Sequence, residues 1–248
     1  MTHEVTQTAP KVVGIIAAGG QGTRLGAVGG KQLLMIAGKP VVAWAIDALA
    51  AAGLVQSIVV VCDPNRVEEY AQTISSNVNT EKPLHFVAGG DTREESIVAG
   101  LLFAKTADIV AIHDGARPLL DEWCANAAIQ ALVDGSEEEN ALDGVVLGNP
   151  AVDTLKYVEN DCVVDTPDRN LYWHAQTPQI FWRKQLVDAY DKAREKGYRG
   201  TDDASYCEHA GGRVRMFAGS RNNIKITTTE DVDFVELLLQ KNKKRTHL

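Results

Sequence analysis

The sequence predicts an α/β protein with a doubly wound, mostly parallel sheet and a projecting β-arm. Two observations predict the sheet: short apolar runs rich in β-branched residues read as buried strands, and segments with helical periodicity alternate with them. The arm is predicted because the alternation of strands and helices stops after residue 149, where two more polar strand-like segments follow each other.

The first half of the chain supplies most of the predicted sheet. Its strands are expected at 11–18, 57–62, 84–89, 108–114 and 143–149. Its helices are expected at 40–53, 65–77, 92–105 and 120–134. Pro40 is a plausible helix start and Gly53 a plausible helix stop. Because strands and helices alternate one for one, neighbouring strands are expected to run parallel.

The second half begins with the arm, at about 150–172. Within it, residues 151–170 read as two strands joined by the turn Glu-Asn-Asp, too polar for the centre of the sheet. A two-stranded arm buries little by itself, so we expect a second subunit or a ligand to pack on it. A helix at 183–197, a short helix after Thr201, a strand at 213–219 and a last helix from Thr229 follow.

One domain is expected at 11–240, with a disordered tail at 1–10 and a basic tail at 241–248. The net charge of −8 disfavours nucleic acid and anionic membranes as general partners. The four cysteines form no C-x-x-C pair, which disfavours a disulfide framework or a structural zinc site. With neither a signal peptide nor a long apolar run, a cytoplasmic location is expected.

The stretch AAGGQGTRLG, from Ala17 to Gly26, follows the first predicted strand. Four glycines beside Arg24 indicate backbone brought close to a negatively charged group. The dinucleotide fingerprint G-x-G-x-x-G fails here by one residue of spacing. The P-loop fails as well, because Lys31 is followed by Gln32 and not by the hydroxyl residue that holds magnesium.

A third kind of phosphate-binding loop fits. Residues 18–25, AGGQGTRL, resemble the A-G-G-x-G-T-R-L loop of nucleotidyltransferases that join a sugar phosphate to a nucleoside triphosphate. Further stretches follow in order at 88–101, 113–120, 152–157 with 168–181, and 201–205 with 222–232. Together they resemble the 2-C-methyl-D-erythritol 4-phosphate cytidylyltransferase family of the non-mevalonate isoprenoid pathway, across residues 11–240.

The resemblance implies a Rossmann-like nucleotidyltransferase fold and the transfer of CMP from CTP, the co-substrate, to methylerythritol phosphate, with Mg²⁺ as cofactor. Pyrophosphate is the second product. A phosphate monoester has a second pKa of about 6, so the attacking phosphate needs no general base. Alignment, magnesium and positive charge around the phosphorus are then what catalysis requires. The absence of a Ser-His-Asp pattern fits this chemistry.

Site roles follow from the resemblance, position by position. The residues matching catalytic positions are Arg24, Lys31, Arg169 and Lys225. The residues matching nucleotide contacts are Ala17, Ala18, Gly19, Gly20, Gly22, Gly90, Asp91, Arg93, Ser96, Asp114 and Gly115. Among these, Gly90, Asp91, Arg93 and Ser96 match the segment that holds the cytosine. The residues matching acceptor contacts are Asp114, Arg117, Thr154, Arg169, Thr177 and Lys225. Asp114 also matches the residue near the metal.

In the family the arm reaches into the neighbouring subunit. A homodimer is therefore implied, with Thr154 and Arg169 serving the partner's site. His113 is interpreted as a strand residue and not a ligand. Two positions depart from the family pattern: Gly30 replaces the usual proline before Lys31, and Gly115 replaces the commoner alanine. The first change predicts a looser loop before CTP binds, and the second a change in local packing.

Three other functions are alternatives to the transfer of CMP to methylerythritol phosphate. A ribitol-5-phosphate cytidylyltransferase shares the QTPQ and NIKIT patterns, although DTLK and DRNLYW favour the erythritol enzyme. An NAD-dependent dehydrogenase is suggested only by the near-match of glycine spacing. A non-catalytic nucleotide sensor has no need of the cations Arg24, Lys31, Arg169 and Lys225.

Overall fold

The computed structural model describes residues 9–20, 31–136 and 139–246. The predicted site residues Gly22 and Arg24 therefore lie outside the described residues, as do Gly30 and most of the predicted tail at 1–10.

Strands and helices alternate through the first 150 residues as predicted, except that an unpredicted antiparallel hairpin at residues 35–40 precedes the first α-helix. The strands are β1 (Val12–Ala17), β2 (Met35–Ile36), β3 (Lys39–Pro40), β4 (Val55–Cys62), β5 (Leu84–Ala88), β6 (Ile109–Asp114), β7 (Gly144–Pro150), β8 (Tyr157–Glu159), β9 (Cys162–Asp165), β10 (Trp173–Trp182) and β11 (Val214–Ala218). The helices are α1 (Val41–Ala51), α2 (Val67–Ser75), α3 (Arg93–Phe103), α4 (Glu122–Asp134), α5 (Arg183–Lys196), α6 (Asp203–His209) and α7 (Thr229–Thr246). Short 3₁₀ helices lie at Lys31–Leu33 and Arg169–Leu171.

The main sheet has seven strands in the order β11-β7-β10-β6-β1-β4-β5. Every neighbouring pair is parallel except those that include β10, which runs antiparallel to both β6 and β7. The predicted mostly parallel, doubly wound sheet is therefore confirmed. The strand β10 was not predicted: its first three residues are exposed and the following ones, from Gln176, are buried. Such a half-exposed pattern resembles neither a buried strand nor an amphipathic one.

Two apolar cores cover the two faces of the sheet. Alternate residues of β1 divide between them: Val12 and Ile16 face one core, while Val13 and Ile15 face the other. The first core is closed by α1, α2 and α4, and the second by α3, α5 and α6. Each fully buried aliphatic side chain stabilises the fold by roughly 1.5–3 kcal/mol relative to an exposed one. The sheet is thereby fixed as a rigid platform.

The projecting arm forms a separate two-stranded sheet of β8 and β9. Its turn contains Asn160 and Asp161 with φ of 49° and 61°, the left-handed region that a tight hairpin requires. Every residue of both strands is exposed, including Val158 and Val163. The arm predicted from the sequence is therefore present.

A third, smaller cluster joins α7 to the segment before α1. Ile36, Val41, Ile226, Val235 and Leu239 are all buried in it. The segments around Lys31 and Lys225 are thus held on one side of the sheet. The helix α7 continues to Thr246, so most of the predicted basic tail is helical. Within the described residues, no helix is long and apolar enough to cross a membrane.

Candidate active site

A cavity of about 520 Å³ lies at the carboxyl ends of β1, β4, β5 and β6; we call it the main cavity. Ligands gather at this edge in open α/β sheets. The predicted site residues that line it are Ala17, Gly19, Gly20, Lys31, Gly90, Asp91, Arg93, Ser96, Asp114 and Lys225. Ala18 is fully buried beside it, and Gly115 follows Asp114 directly.

The loop between β5 and α3 shapes one wall of the main cavity. Thr92 caps α3 through a reciprocal capping box with Glu95. The Ser96 hydroxyl accepts a hydrogen bond from the Gly90 N–H at 3.2 Å and donates one to the Thr92 carbonyl at 2.9 Å. A Cβ on Gly90 would collide with Glu95, and one on Gly89 would lie 2.6 Å from Ser96 Oγ. The loop therefore presents backbone to the cavity.

Asp114 ends β6 and is 8% exposed. Its Oδ2 lies 2.9 Å from Lys225 Nζ and 3.4 Å from Arg117 Nε. Burial by itself would raise the pKa of this carboxyl, but the charge and hydrogen bond of Lys225, with Arg117 and Arg93, lower that pKa to about 2. Asp114 is therefore ionised at neutral pH and holds two cations at the edge of the cavity.

His113 fixes the end of β6 to β10. It is fully buried, with Nε2 3.0 Å from the Arg117 carbonyl oxygen and Nδ1 2.9 Å from Thr177 Oγ1. Because a carbonyl only accepts, Nε2 carries the proton and Nδ1 accepts from the Thr177 hydroxyl. Thr177 Oγ1 in turn accepts from the Asp114 N–H at 3.0 Å. Burial lowers the pKa of His113 to about 4, so the ring is neutral at pH 7, and the residue lies in β6, a strand position as predicted.

A smaller cavity of about 190 Å³ adjoins the first; we call it the side cavity. It contains the predicted acceptor residues Arg117 and Thr177, together with Asp114 and Lys225. Its remaining lining residues are Arg93, Ala175, Gln176, Gln179, Thr201 and Asp202. Among the residues the structure describes, three line both cavities: Arg93, Asp114 and Lys225. Two ligands bound side by side would meet at these residues.

Thr154 and Arg169 do not line either cavity of their own chain. Both are exposed on the arm, and Arg169 Nη1 donates to the Val152 carbonyl oxygen within the arm. The main and side cavities therefore bring together the other predicted acceptor residues but not these two. That they serve a second copy of the chain stays a prediction.

The loop after β11 carries Lys225 and is hydrogen-bonded to site residues from the first half of the chain. Arg117 Nη1 donates to the Asn223 carbonyl at 2.7 Å, and the Ile226 N–H donates to the Ala116 carbonyl at 2.9 Å. Lys31 Nζ lies 3.3 Å from the Ile226 carbonyl oxygen. Residues far apart in sequence thus converge at the site. The ammonium groups of Lys31 and Lys225 lie on flexible side chains, so they can turn toward an anionic ligand without disturbing the apolar core.

Sequence reasoning missed several residues of the site. Asp203 is fully buried and binds the Arg93 guanidinium. It lies in the motif at 201–205, but the sequence gives no sign of this ion pair. Gln32 lines the main cavity, and its buried Oε1 has no hydrogen-bond partner among the residues that the structure describes. A Cβ on Gly115 would lie 2.8 Å from that oxygen. The glycine at position 115 therefore leaves room for the Gln32 side chain. The only sequence signal that Gln32 belongs to the site is its position next to Lys31.

The donor chemistry of the main cavity fits magnesium carried by a nucleotide. Within 9–20, 31–136 and 139–246, no group of three or more His, Cys, Asp or Glu side chains could hold a metal alone. Magnesium sites on nucleotides use one or two carboxylates together with phosphate oxygens and water. Asp114 provides one ionised carboxylate of this kind.

Comparison with known proteins agrees with this geometry. The family model of 2-C-methyl-D-erythritol 4-phosphate cytidylyltransferase (IspD) matches residues 12–241. A relative of that name from Caldanaerobacter subterraneus is 38% identical over 232 residues, covering 93% of this chain and 99% of the relative. One from Thermosynechococcus vestitus is 37% identical, covering 93% and 96%.

Solved structures show the same architecture. The 4-diphosphocytidyl-2C-methyl-D-erythritol synthase of Anaerococcus prevotii aligns with a TM-score of 0.80 at 26% identity, covering 94% of this chain and 97% of that one. The 2-C-methyl-D-erythritol 4-phosphate cytidylyltransferase of Thermus thermophilus aligns with a TM-score of 0.71 at 27% identity, covering 93% and 99%. With the family model matching nearly the whole chain, this protein belongs to the 2-C-methyl-D-erythritol 4-phosphate cytidylyltransferase family.

Proposed function

We propose that this protein transfers CMP from CTP to 2-C-methyl-D-erythritol 4-phosphate, giving 4-diphosphocytidyl-2-C-methyl-D-erythritol and pyrophosphate. The observation that carries the proposal is the pair of adjoining cavities that share Arg93, Asp114 and Lys225, in a chain of this family. We assign CTP to the main cavity and the acceptor to the side cavity.

The reaction needs one bond made and one broken. An oxygen of the acceptor phosphate attacks the α-phosphorus of CTP, and the bond from that phosphorus to the bridging oxygen breaks. Pyrophosphate leaves with the electron pair of the broken bond. Because the acceptor phosphate is largely dianionic at neutral pH, with a second pKa of about 6, no side chain has to remove a proton.

Positive side chains supply the stabilisation that such a transfer requires. Lys31 faces the main cavity, where it can neutralise the triphosphate, and Arg24 joins it in this proposal. Arg117 and Lys225 line the side cavity, where they can hold the acceptor phosphate in line. Magnesium bound by Asp114 and the phosphates would add Lewis-acid charge at the same place.

Selection of cytosine is assigned to the Gly89–Thr92 loop. The backbone of Gly90 faces the main cavity because Glu95 occupies the space that a side chain would need. Backbone N–H and C=O groups can read the edge of a base, and we assign the exclusion of purines to their larger size. Asp91 and Ser96 belong to the same wall.

The arm supports a homodimer. Its exposed apolar side chains include Val163 at 59%, Val164 at 56% and Leu171 at 79% exposure, an unusual density for a solvated ribbon. We assign Thr154 and Arg169 to the partner's side cavity, where Arg169 would help position the acceptor phosphate. The scattered, unpaired cysteines support a reducing, cytoplasmic location.

A pyrophosphate-release assay tests the function. Purified protein is incubated with magnesium, one of CTP, UTP, ATP or GTP, and either methylerythritol phosphate or ribitol 5-phosphate. We expect release only with CTP, and faster release with methylerythritol phosphate. No release with any acceptor refutes the proposal, and faster turnover of ribitol 5-phosphate would reassign the acceptor.

A further inference from the structure

The carboxylate of Asp203 is fully buried and bound by three donors. Arg93 Nη1 lies 3.0 Å from Oδ1 and Arg93 Nη2 lies 2.6 Å from Oδ2, which is a bidentate ion pair. The Tyr190 hydroxyl donates to Oδ1 at 2.6 Å. Three helices meet at this carboxylate, since Arg93 begins α3, Tyr190 lies in α5 and Asp203 begins α6.

The ion pair fixes one end of a side chain that remains accessible. The side chain of Arg93 is 37% exposed, whereas that of Asp203 is 0% exposed. Burial works against the charged guanidinium, but the Asp203 carboxylate more than offsets it and raises the pKa of Arg93. A guanidinium has five N–H groups, so a bidentate bond leaves donors for a second anion. Arg93 is thus a fixed cation whose remaining N–H groups can bind a second anion.

Arg93 stands where the two cavities meet. Together with Asp114 and Lys225, it lines both of them. In a transfer from a nucleotide in one cavity to an acceptor in the other, the reacting phosphoryl group passes this junction. A free arginine side chain samples many rotamers, and catalysis by fixed charge depends on holding the charge in place before the reaction begins.

Resting on the proposed cytidylyl transfer, we propose that Asp203 is a positioning residue that holds Arg93 as a phosphate-facing cation at the junction of the two cavities. Arg93 then contacts the reacting phosphates and not the cytosine ring. The same helix that carries Asp203 is also tied to β10, because Gln179 bonds both Asp202 Oδ2, at 2.7 Å, and the Ala204 N–H, at 3.0 Å. The position of Asp203 is therefore fixed by β10, and Asp203 in turn fixes the position of Arg93.

A double-mutant cycle with Asp203→Asn and Arg93→Gln tests this role. Each single variant should lower kcat by about 10- to 100-fold, the scale of a misplaced catalytic group. The CTP dissociation constant, measured by calorimetry, should change by less than about threefold, because the contacts that other residues make with the base and the triphosphate remain. The double variant should be no slower than Arg93→Gln alone, since Asp203 acts only through Arg93.

Two further variants keep the test decisive if Asp203→Asn folds poorly. Tyr190→Phe removes one hydrogen bond to Asp203 without unpairing a charge, and should lower kcat by about two- to fivefold with unchanged CTP binding. Asp47→Asn breaks the partly buried Lys39–Asp47 ion pair, which lines neither cavity, and should leave kcat unchanged. Melting temperatures of all variants are recorded in parallel.

The outcomes separate this inference from the proposed function. If the wild-type protein releases no pyrophosphate, the proposed function fails. If the wild-type protein is active, three results overturn the role of Asp203: unchanged kcat in Asp203→Asn, additive losses in the double variant, or a CTP affinity that falls as much as kcat. The last result would return Arg93 to the cytosine, and additive losses would leave Asp203 a structural link between helices.

Discussion

The charge of Asp114 should make a pH-dependent contribution to folding stability. Its pKa is lowered from 3.8 to about 2, chiefly by Lys225 acting against the cost of burial. One pKa unit corresponds to about 1.4 kcal/mol, so the ionised carboxylate should stabilise the fold by about 2 kcal/mol. Because the folded pKa lies below the unfolded one, this contribution is present above about pH 4 and is lost as the pH falls toward 2.

Asp114→Asn tests this value, with urea unfolding measured at intervals between pH 7 and pH 3. The variant should be about 2 kcal/mol less stable than wild type at pH 7, a fall of about 4–8 °C in melting temperature for a domain of this size. The difference between the two proteins should shrink through pH 4 and below.

The matched control is Asp233→Asn, an exposed carboxylate on α7. Its effect should stay within about 0.5 kcal/mol at every pH, as for most surface substitutions. A difference between Asp114→Asn and wild type that does not change between pH 7 and pH 3 would refute the electrostatic reasoning. Equal stability at pH 7 would do the same.

Four other changes have defined outcomes. Thr177→Val leaves the Asp114 N–H without its acceptor and His113 Nδ1 without its donor, so thermal unfolding should show a loss of about 2–4 kcal/mol. Gly115→Ala crowds Gln32 and should cost about 1 kcal/mol in urea unfolding, whereas Gly53→Ala, with open space around it, should cost nothing. Lys31→Ala should lower kcat by about 10²–10³-fold while calorimetry shows a much smaller loss of CTP affinity. Val163→Asp on the arm should shift sedimentation from dimer to monomer, and a dimer that persists would exclude the arm as its interface.

Most of the sheet could be predicted from the sequence because its signals are local. The apolar run that became β4 and the helical periodicity of α4 each reflect a single neighbourhood. The strand β10 could not be predicted in this way. Its first residues are exposed because they belong to the arm, and its later residues are buried because they belong to the main sheet. No local pattern in the sequence shows that one strand spans both.

The site divides in the same manner. Glycine loops and the HDGARP stretch are short patterns, so Gly90, Asp114 and Arg117 could be identified from the residues and the family resemblance. The bond between Arg93 and Asp203 joins positions 110 residues apart, and no local pattern specifies such a pair. The unpartnered oxygen of Gln32 likewise becomes visible only when the neighbouring backbone is in place.

The strand β10 continues directly from the arm into the main sheet, beside β7. Its exposed first residues continue the arm, and its buried residues carry Thr177 and Gln179 into the side cavity. Between Ala175 and Gln179 the pairing of β10 with β7 shifts register, so the residues that line the side cavity lie where the strand passes from the arm to the main sheet. Because Thr154 and Arg169 are proposed to complete the side cavity of a second copy, specific activity should rise with protein concentration until the dimer is fully formed.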